Sequence, residues 1–459
     1  MVLDKAEQWL QRIGARTLYI VLMLLFGTAM LLVTPPYQVP DEPMHVFRAW
    51  QVSEGVFISP VVKEATLMEW TFHDCFVTDI PESLWSDGQL FSLKDGYSWE
   101  KLCADWSMPL QREDTMQMVL PNTGAYAPLA YVPQAVAAFV GRWLALPVGA
   151  MLSLMRFAGL LWVIGCGWLA LRLLPEKRLL IFALSFMPMF LFQSASASAD
   201  ATVFGVCLLG TAYLLSLRRS QQRLRRGELV FLLLLAVSLG LLKQVYGVLL
   251  LLYFFVPWQR LGSRRCFWGY GLLLLVVALL TSAAWLKLGV LAQGGRLAYM
   301  PGRDATAQLA FMKADIKNFV GVFCSSVIIH CREWYTSFIG QLAWLNVALP
   351  NWFLAVYGVF LLVAGISGRL GLRFWERLVM VAAFGVAAVA CIVSQYLNWT
   401  PVGASGIDGV QGRYFIPVAM LLLVAFSSVR CLRYEYLLAV GMAVLSALVS
   451  LRALFGFFY

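Results

Sequence analysis

Charge is scarce in this chain. Only 13% of its 459 residues are Asp, Glu, Lys or Arg, while 61% are hydrophobic. Soluble domains carry about a quarter charged residues, so this balance excludes a water-exposed globular surface. With a mean hydropathy of +0.75, it points to a polytopic membrane protein. Histidine is scarcer still: three in all, far apart, which argues against a dedicated zinc site. A GxxxxGKS/T loop, a GxGxxG after a strand, an internal repeat and a low-complexity segment are also missing, which removes the common nucleotide loops and repeat arrays. No small-residue cleavage site follows the first apolar segment, Thr17 to Thr34, so a retained transmembrane helix is expected there and not a signal peptide.

What charge there is sits in short basic clusters between apolar runs, the pattern that orients a chain in a bilayer and not one that binds nucleic acid. The clusters are Lys5/Arg12/Arg16, Arg172/Lys177/Arg178, Arg218 to Arg226, Arg260/Arg264/Arg265, Arg369/Arg373/Arg377 and Arg430/Arg433. If all face the cytoplasm, the segments between them cross in pairs: 179–193 with 200–217, 229–242 with 246–257, 267–289 with 350–367, and 379–397 with 414–429. A last helix, 435–456, leaves the C-terminus outside. Between 35 and 171 the chain must return once, yet it holds two apolar stretches, 126–147 and 150–171. The first carries Pro128, Pro133 and Arg142 and reads as a helix lying in the interface. The expected fold is therefore an all-α polytopic membrane domain over the whole chain, 1–459, with about eleven transmembrane helices and the N-terminus inside.

This topology puts a long Trp-rich first loop outside, 35–125, extended to 149 by the interfacial helix. A second outer loop is expected at 290–349 and a short one at 398–413. Cys75, Cys103, Cys324 and Cys331 fall in the outer loops, where an oxidising compartment permits disulfides, one per loop, with the pairing open. Polar residues gather at the outer ends of the helices, where charge in an apolar chain calls for a functional explanation. In "TPPYQVPDEPMHVFRAW" (34–50), Pro43 suits the first turn of a helix and Glu42 its N-cap. Asp41, His45 and Arg48 then share one helix face. A plain interfacial helix capped by its acids is the simpler account, but capping needs one acid and this stretch supplies two.

Lys243, in "LGLLKQVYGVLL", interrupts a long apolar run at an outer turn, where it either snorkels to headgroups or meets a phosphate. "GASGIDGVQGRYFIP" (403–417) has glycines at 403, 406, 409 and 412 that let backbone amides approach an anion, with Arg413 adding a guanidinium fork and Gln411 and Tyr414 beside it. Arg156, near the outer end of its helix, is a third candidate for phosphate. Asp200, in "QSASASAD", is an N-cap or a ligand. His330, Cys331, Arg332, Glu333 and Trp334 read as loop packing.

"PPYQVPDEPMHVFRAWQVSEG", "TSFIGQLAWLNVALPNW" and "GVQGRYFIP" closely resemble the signatures of a bacterial family of polytopic membrane proteins related to GT-C glycosyltransferases, with likeness from Pro35 to Pro417. "YAPLAYVPQAVA" is similar to the juxtamembrane helix that ends the first outer loop in that superfamily. The resemblance implies an inner-membrane enzyme with a periplasmic site, a catalytic acid in the first loop, and a polyprenyl-phosphate-linked sugar as donor. The acceptor it suggests is a cell-envelope glycan such as lipopolysaccharide O-antigen. The matching acids are Asp41 and Glu42, either of which can be the base. Lys243, Arg413 and Arg156 would hold the donor phosphate, and His45, Arg48, Asp200, Gln411 and Tyr414 would face sugar or acceptor. Some superfamily members use Mg or Mn held by loop acids; no third ligand stands out here. The competing expectations are a transporter or flippase of a lipid-linked sugar, and a non-catalytic assembly partner.

Overall fold

The computed structural model describes residues 2–67, 70–85, 98–295, 302–428 and 431–459, which are mostly helical. An amphipathic helix α1 (Val2–Ile13) turns at Gly14, φ 85°, into α2 (Ala15–Val33), which stops where Pro35 and Pro36 forbid further helix. The first loop then folds into α3 (Glu42–Ser53), strands β1 (Val61–Leu67) and β2 (Trp70–Pro81), helix α4 (Trp99–Ser107) and strand β3 (Thr115–Val119). The strands form an antiparallel sheet in the order β1-β2-β3, with Val62 opposite Cys75 and Val77 opposite Val119. Phe72, Cys75, Val77 and Val119 make a small core of their own under it.

A short turn leads to α5 (Val132–Trp143). Twelve residues give about 18 Å of helix, too short for the ~30 Å of a bilayer core. Val136, Phe139 and Trp143 project from one exposed face of it. Helix α6 (Val148–Leu173) follows, then a broken pair, α7 (Arg178–Ser185) and α8 (Pro188–Ser194), and α9 (Ala199–Leu217). Almost every side chain from 179 to 215 is buried, so this hairpin is the centre of the bundle. Helix α10 (Arg226–Leu241) ends two residues before Lys243, which caps the 3-10 helix that follows, Gln244–Phe255. The tighter winding extends twelve residues over about 24 Å. The remaining helices are α11 (Arg264–Trp285, prolonged by a π-turn), α12 (Ala305–Ala314), α13 (Ile316–Ile339), α14 (Asn351–Ile366), α15 (Phe374–Asn398), α16 (Ile416–Ala425) and α17 (Glu435–Phe458).

Among the described residues, six helices are long and apolar enough to cross a membrane: α2, α6, α9, α11 with its extension, α15 and α17. The α12–α13 pair, bent by 109°, would make a seventh. Helix length therefore does not deliver the expected eleven crossings. The difference lies in five short segments, the α7–α8 pair, α10, the 3-10 helix, α14 and α16, of which none exceeds sixteen residues in one helix. The second expected loop is also different: much of 290–349 is helix, and His330 sits within α13, bonded to Glu333 at 3.1 Å. All nine cysteines are free. Cys324 and Cys331 share α13 seven residues apart, about 10 Å along the axis, beyond the reach of a disulfide. Cys75 is sealed in the sheet while Cys103 is exposed on α4, so the first loop forms no bridge either.

Two polar layers tie the helices at opposite ends. In one, Arg178 meets Glu435, Arg218 meets Glu376 at 2.8 Å, and Arg260 meets Glu228 at 3.1 Å. Lys177 donates to Gly365 O and Ser367 O there, and Arg377 donates to Ala425 O and Ser427 O. The other layer contains Asp41, Asp200, Lys243 and Arg413. Asp200 opens α9 and Arg218 closes it, so about 27 Å of helix separates the two.

Candidate functional site

Asp41 occupies the N-cap of α3 with left-handed backbone (φ 63°), a strained setting for a residue other than glycine. Its carboxylate does not cap the helix. It accepts from Arg413 Nη2 at 2.5 Å and from Asn122 Nδ2 at 3.0 Å. Glu42 is thus the first helical residue and not the cap. The Arg413 fork spans two acids, with Nη1 3.5 Å from Asp200, and Asp200 in turn accepts from Lys243 Nζ at 2.8 Å. Arg413, Asp200 and Lys243 are 2%, 6% and 20% exposed in their side chains, and Asp41 29%, so the chain of charge opens outward at Asp41. Lys243 lies between the rings of Tyr126 and Tyr414, 5.7 and 5.6 Å from their centroids. Arg413 Nε is buried with no partner among the described residues.

The other candidates separate from this cluster. Glu42 is fully buried; it accepts from Arg156 Nε and Nη2 at 2.8 and 2.6 Å and from Ala197 N at 3.0 Å. Arg156 also donates to Leu31 O, Thr34 O and Pro35 O, so all five of its donors are engaged and none is left for a phosphate. This pair is a clasp joining α2, α3, α6 and the 195–198 turn. Of the two acids left open as base, only Asp41 is reachable. Arg48 is buried beneath the first loop, donating to Gln51 Oε1, Val56 O, Phe57 O and Tyr126 O. It positions Tyr126, which faces Lys243. His45 Nδ1 lies 2.8 Å from Tyr131 Oη, and burial pushes the imidazole down to about 4, so the ring is neutral at pH 7. Gln411 Oε1 is buried without a partner among the described residues.

Two of the glycines read as anion-binding are required by packing. A Cβ on Gly412 would lie 2.0 Å from Trp334 O and 2.2 Å from Phe338 N, and one on Gly409 would lie 2.2 Å from the Trp399 ring. Gly412 N donates to Ser337 Oγ at 2.9 Å, so close contact with α13 sets the position of Arg413. Beside Lys243 a cavity of about 380 Å³ opens between the ends of α10, α11 and α15. Its polar lining includes Asn122, Gln395 and Asn398, which sequence reasoning missed. The amides at the end of the apolar run 379–397 were the available signal.

No three His, Cys, Asp or Glu side chains come together to hold a metal among the described residues. Asp41 and Asp200 are already engaged by cations, so the donor set does not suit Mg or Mn.

A family model described as predicted membrane protein, DUF2142, matches residues 24–422. The chain belongs to this family. The DUF2142 match runs from within α2 to within α16 and includes Asp41, Asp200, Lys243 and Arg413. No curated protein and no solved structure matches the chain.

Proposed function

We propose that this protein transfers a sugar from a polyprenyl-phosphate donor to a cell-envelope glycan, on the periplasmic side of the bacterial inner membrane, in a GT-C-like fold. The observation that carries the reading is the meeting of Asp41, Asp200, Lys243 and Arg413 at one end of the bundle, beside a cavity. The opposite layer holds Arg178, Arg218, Arg260 and Arg377, the charge expected of a cytoplasmic face, which supports an outward-facing cluster.

The short segments support eleven crossings. The hairpin of α10 and the 3-10 helix leaves from Glu228, reaches Lys243 and returns to Arg260, which pairs with Glu228. Helix α15 runs from Glu376 to Asn398, and α16 returns from Arg413 to Ala425, whose carbonyl accepts from Arg377. Each spans the distance between the two polar layers, and local thinning accommodates its length.

In the proposed reaction an acceptor hydroxyl gives its proton to the Asp41 carboxylate while its oxygen bonds to the anomeric carbon. The bond from that carbon to the phosphate oxygen breaks on the opposite face, and its electron pair leaves with the polyprenyl phosphate. Lys243 and Arg413 offset the charge that develops on the phosphate. A single displacement inverts the anomeric centre. Asp200 keeps both cations in place when the phosphate is absent.

The test is reconstitution in vesicles with polyprenyl-phosphate sugars and candidate glycans. New glycosidic bonds are expected. Movement of the lipid-linked sugar across the bilayer without bond formation would replace this reading with a flippase.

A further inference from the structure

The cavity beside the cluster has a chemistry of its own. Among the described residues, Lys243 is its only charged lining residue. Four carboxamides, Asn122, Gln244, Gln395 and Asn398, line it with Ser282 and Ser394. Three aromatic side chains, Tyr126, Trp285 and Trp399, complete much of the wall. We propose that this cavity receives the glycosyl ring of the donor and selects a neutral pyranose. The inference rests on the transferase reading for its donor and goes beyond it in naming the sugar class and the residues that choose it.

Three observations support it. First, a carboxamide both donates and accepts, which suits the alternating donors and acceptors of a row of sugar hydroxyls. Asn122 is placed for this: its Nδ2 donates to Asp41, while its Oδ1 is buried without a partner among the described residues. The side chains of Gln244 and Gln395 likewise bond to nothing among the described residues, and Asn398 spends only its Nδ2, on Ser394. Second, the Trp285 indole is set before any ligand arrives, because its N–H donates to Ala125 O at 2.8 Å. A fixed aromatic face suits the apolar C–H face of a pyranose. Third, Lys243, the only lining cation among the described residues, marks the end proposed for the phosphate, and Asp200 already pairs with it. A carboxylate on the sugar would be desolvated against amides and indoles with no lining counter-charge but Lys243 among the described residues, since Arg303 lies over the Trp399 ring and does not line the cavity, and Asp41 nearby would repel it. At about 380 Å³ the space lies at the small end of ligand sites, enough for one ring and its phosphate and not for an oligosaccharide.

The experiment uses the full chain in detergent or nanodiscs with short, water-soluble donors: citronellyl phosphate, citronellyl phosphoglucose and citronellyl phosphoglucuronate. Saturation-transfer NMR and competition titration report binding, and thermal unfolding checks the variants. The ring protons of the glucose adduct are expected to receive saturation, and that adduct to bind more tightly than both other probes. Gln395→Ala combined with Asn398→Ala should weaken the glucose adduct about tenfold, from the loss of two neutral hydrogen bonds, and leave citronellyl phosphate unchanged. Equal affinity with and without the sugar, equal affinity for the glucuronate, or a double variant that weakens all three probes alike would each overturn the assignment. The two proposals fail separately. Loss of transfer activity with sugar-dependent binding intact removes the transferase and keeps the cavity; normal transfer by the double variant removes the cavity and keeps the transferase.

Discussion

The Glu42–Arg156 clasp and the Asp41–Arg413 pair are consecutive in sequence and opposite in expected behaviour, which makes Glu42→Ala an informative perturbation. Glu42 is 0% exposed and Arg156 3%. Removing the carboxylate takes three hydrogen bonds from the site and leaves a guanidinium held by carbonyls alone, with no counter-charge. Breaking a buried pair from one side costs about 3–5 kcal/mol. At ~1.4 kcal/mol per decade, the ratio of folded to unfolded protein falls by at least about a hundredfold. Buried Cys166 and Cys207 supply the readout: once exposed thiols are blocked, a thiol-reactive dye detects them only as the bundle opens. Glu42→Ala should unfold well below wild type, whereas Asp41→Asn, at the open end of its chain of charge, should unfold close to it. Replacing both Glu42 and Arg156 by Met should recover much of the loss, since an apolar pair of similar volume needs no counter-charge. If Glu42→Ala melts like wild type yet abolishes sugar transfer, the clasp is not structural and the base has been misassigned.

Asp41→Asn should lower transfer by about a hundredfold or more with folding retained, measured on reconstituted protein; near-normal turnover would move the base elsewhere. Gly412→Ala drives a methyl into Trp334 O and Phe338 N, so thermal stability should fall by about 1–3 kcal/mol and transfer with it, because Arg413 is the next residue; an unchanged melting curve would refute the close approach. His45 binds its proton near 4 in the fold and near 6.5 when unfolded, so its contribution is full above pH 6.5 and is lost as pH falls toward 4, on the order of 3 kcal/mol. Unfolding temperatures between pH 7 and 4.5 should therefore fall more steeply in wild type than in His45→Phe, and parallel profiles would contradict the buried neutral imidazole.

Much of the membrane organisation was legible because it rests on local signals. Basic clusters and apolar run lengths located α2, α6, α9, α15 and α17, and the prolines of 128 and 133 marked a segment too short to cross. The sheet was not legible: "VVKEATL" and "TMQMV" lie in a loop that reads as polar, and pairing Thr78 with Met118 is a contact across forty residues that no period reveals. The α12–α13 pair was missed because its apolar residues are interrupted by Lys313, Asp315 and Lys317 around the bend. At the site, Asp41, Lys243 and Arg413 stood out as charges at helix ends. The partition between Asp41 and Glu42 could not be read, since both follow the same proline and only the fold directs one inward to Arg156 and the other to Arg413. The glycines at 409 and 412 suggested an anion loop, but the nearness of α13 and Trp399 requires them.

The cluster is neutral as it stands, with two carboxylates against two cations, and that balance bears on what it can bind. Ion pairs buried among apolar helices are seldom the most stable filling of their space; apolar side chains of similar volume often do as well or better. The Glu42–Arg156 clasp is closed on all sides, so stability and specificity of packing account for it. The chain of charge from Asp41 to Lys243 differs at three points: Asp41 is partly open, Arg413 Nε has no partner among the described residues, and Lys243 faces a cavity. In the proposed reaction, a monoanionic phosphodiester entering that cavity would meet Lys243 first and draw it from Asp200, whose second partner, Arg413, keeps the carboxylate compensated. On that proposal, the phosphate departing as a dianion would meet the same two cations with more charge than the substrate carried. The attraction would therefore grow as the bond breaks, which is the condition that the proposed catalysis, and not merely binding, requires of this cluster.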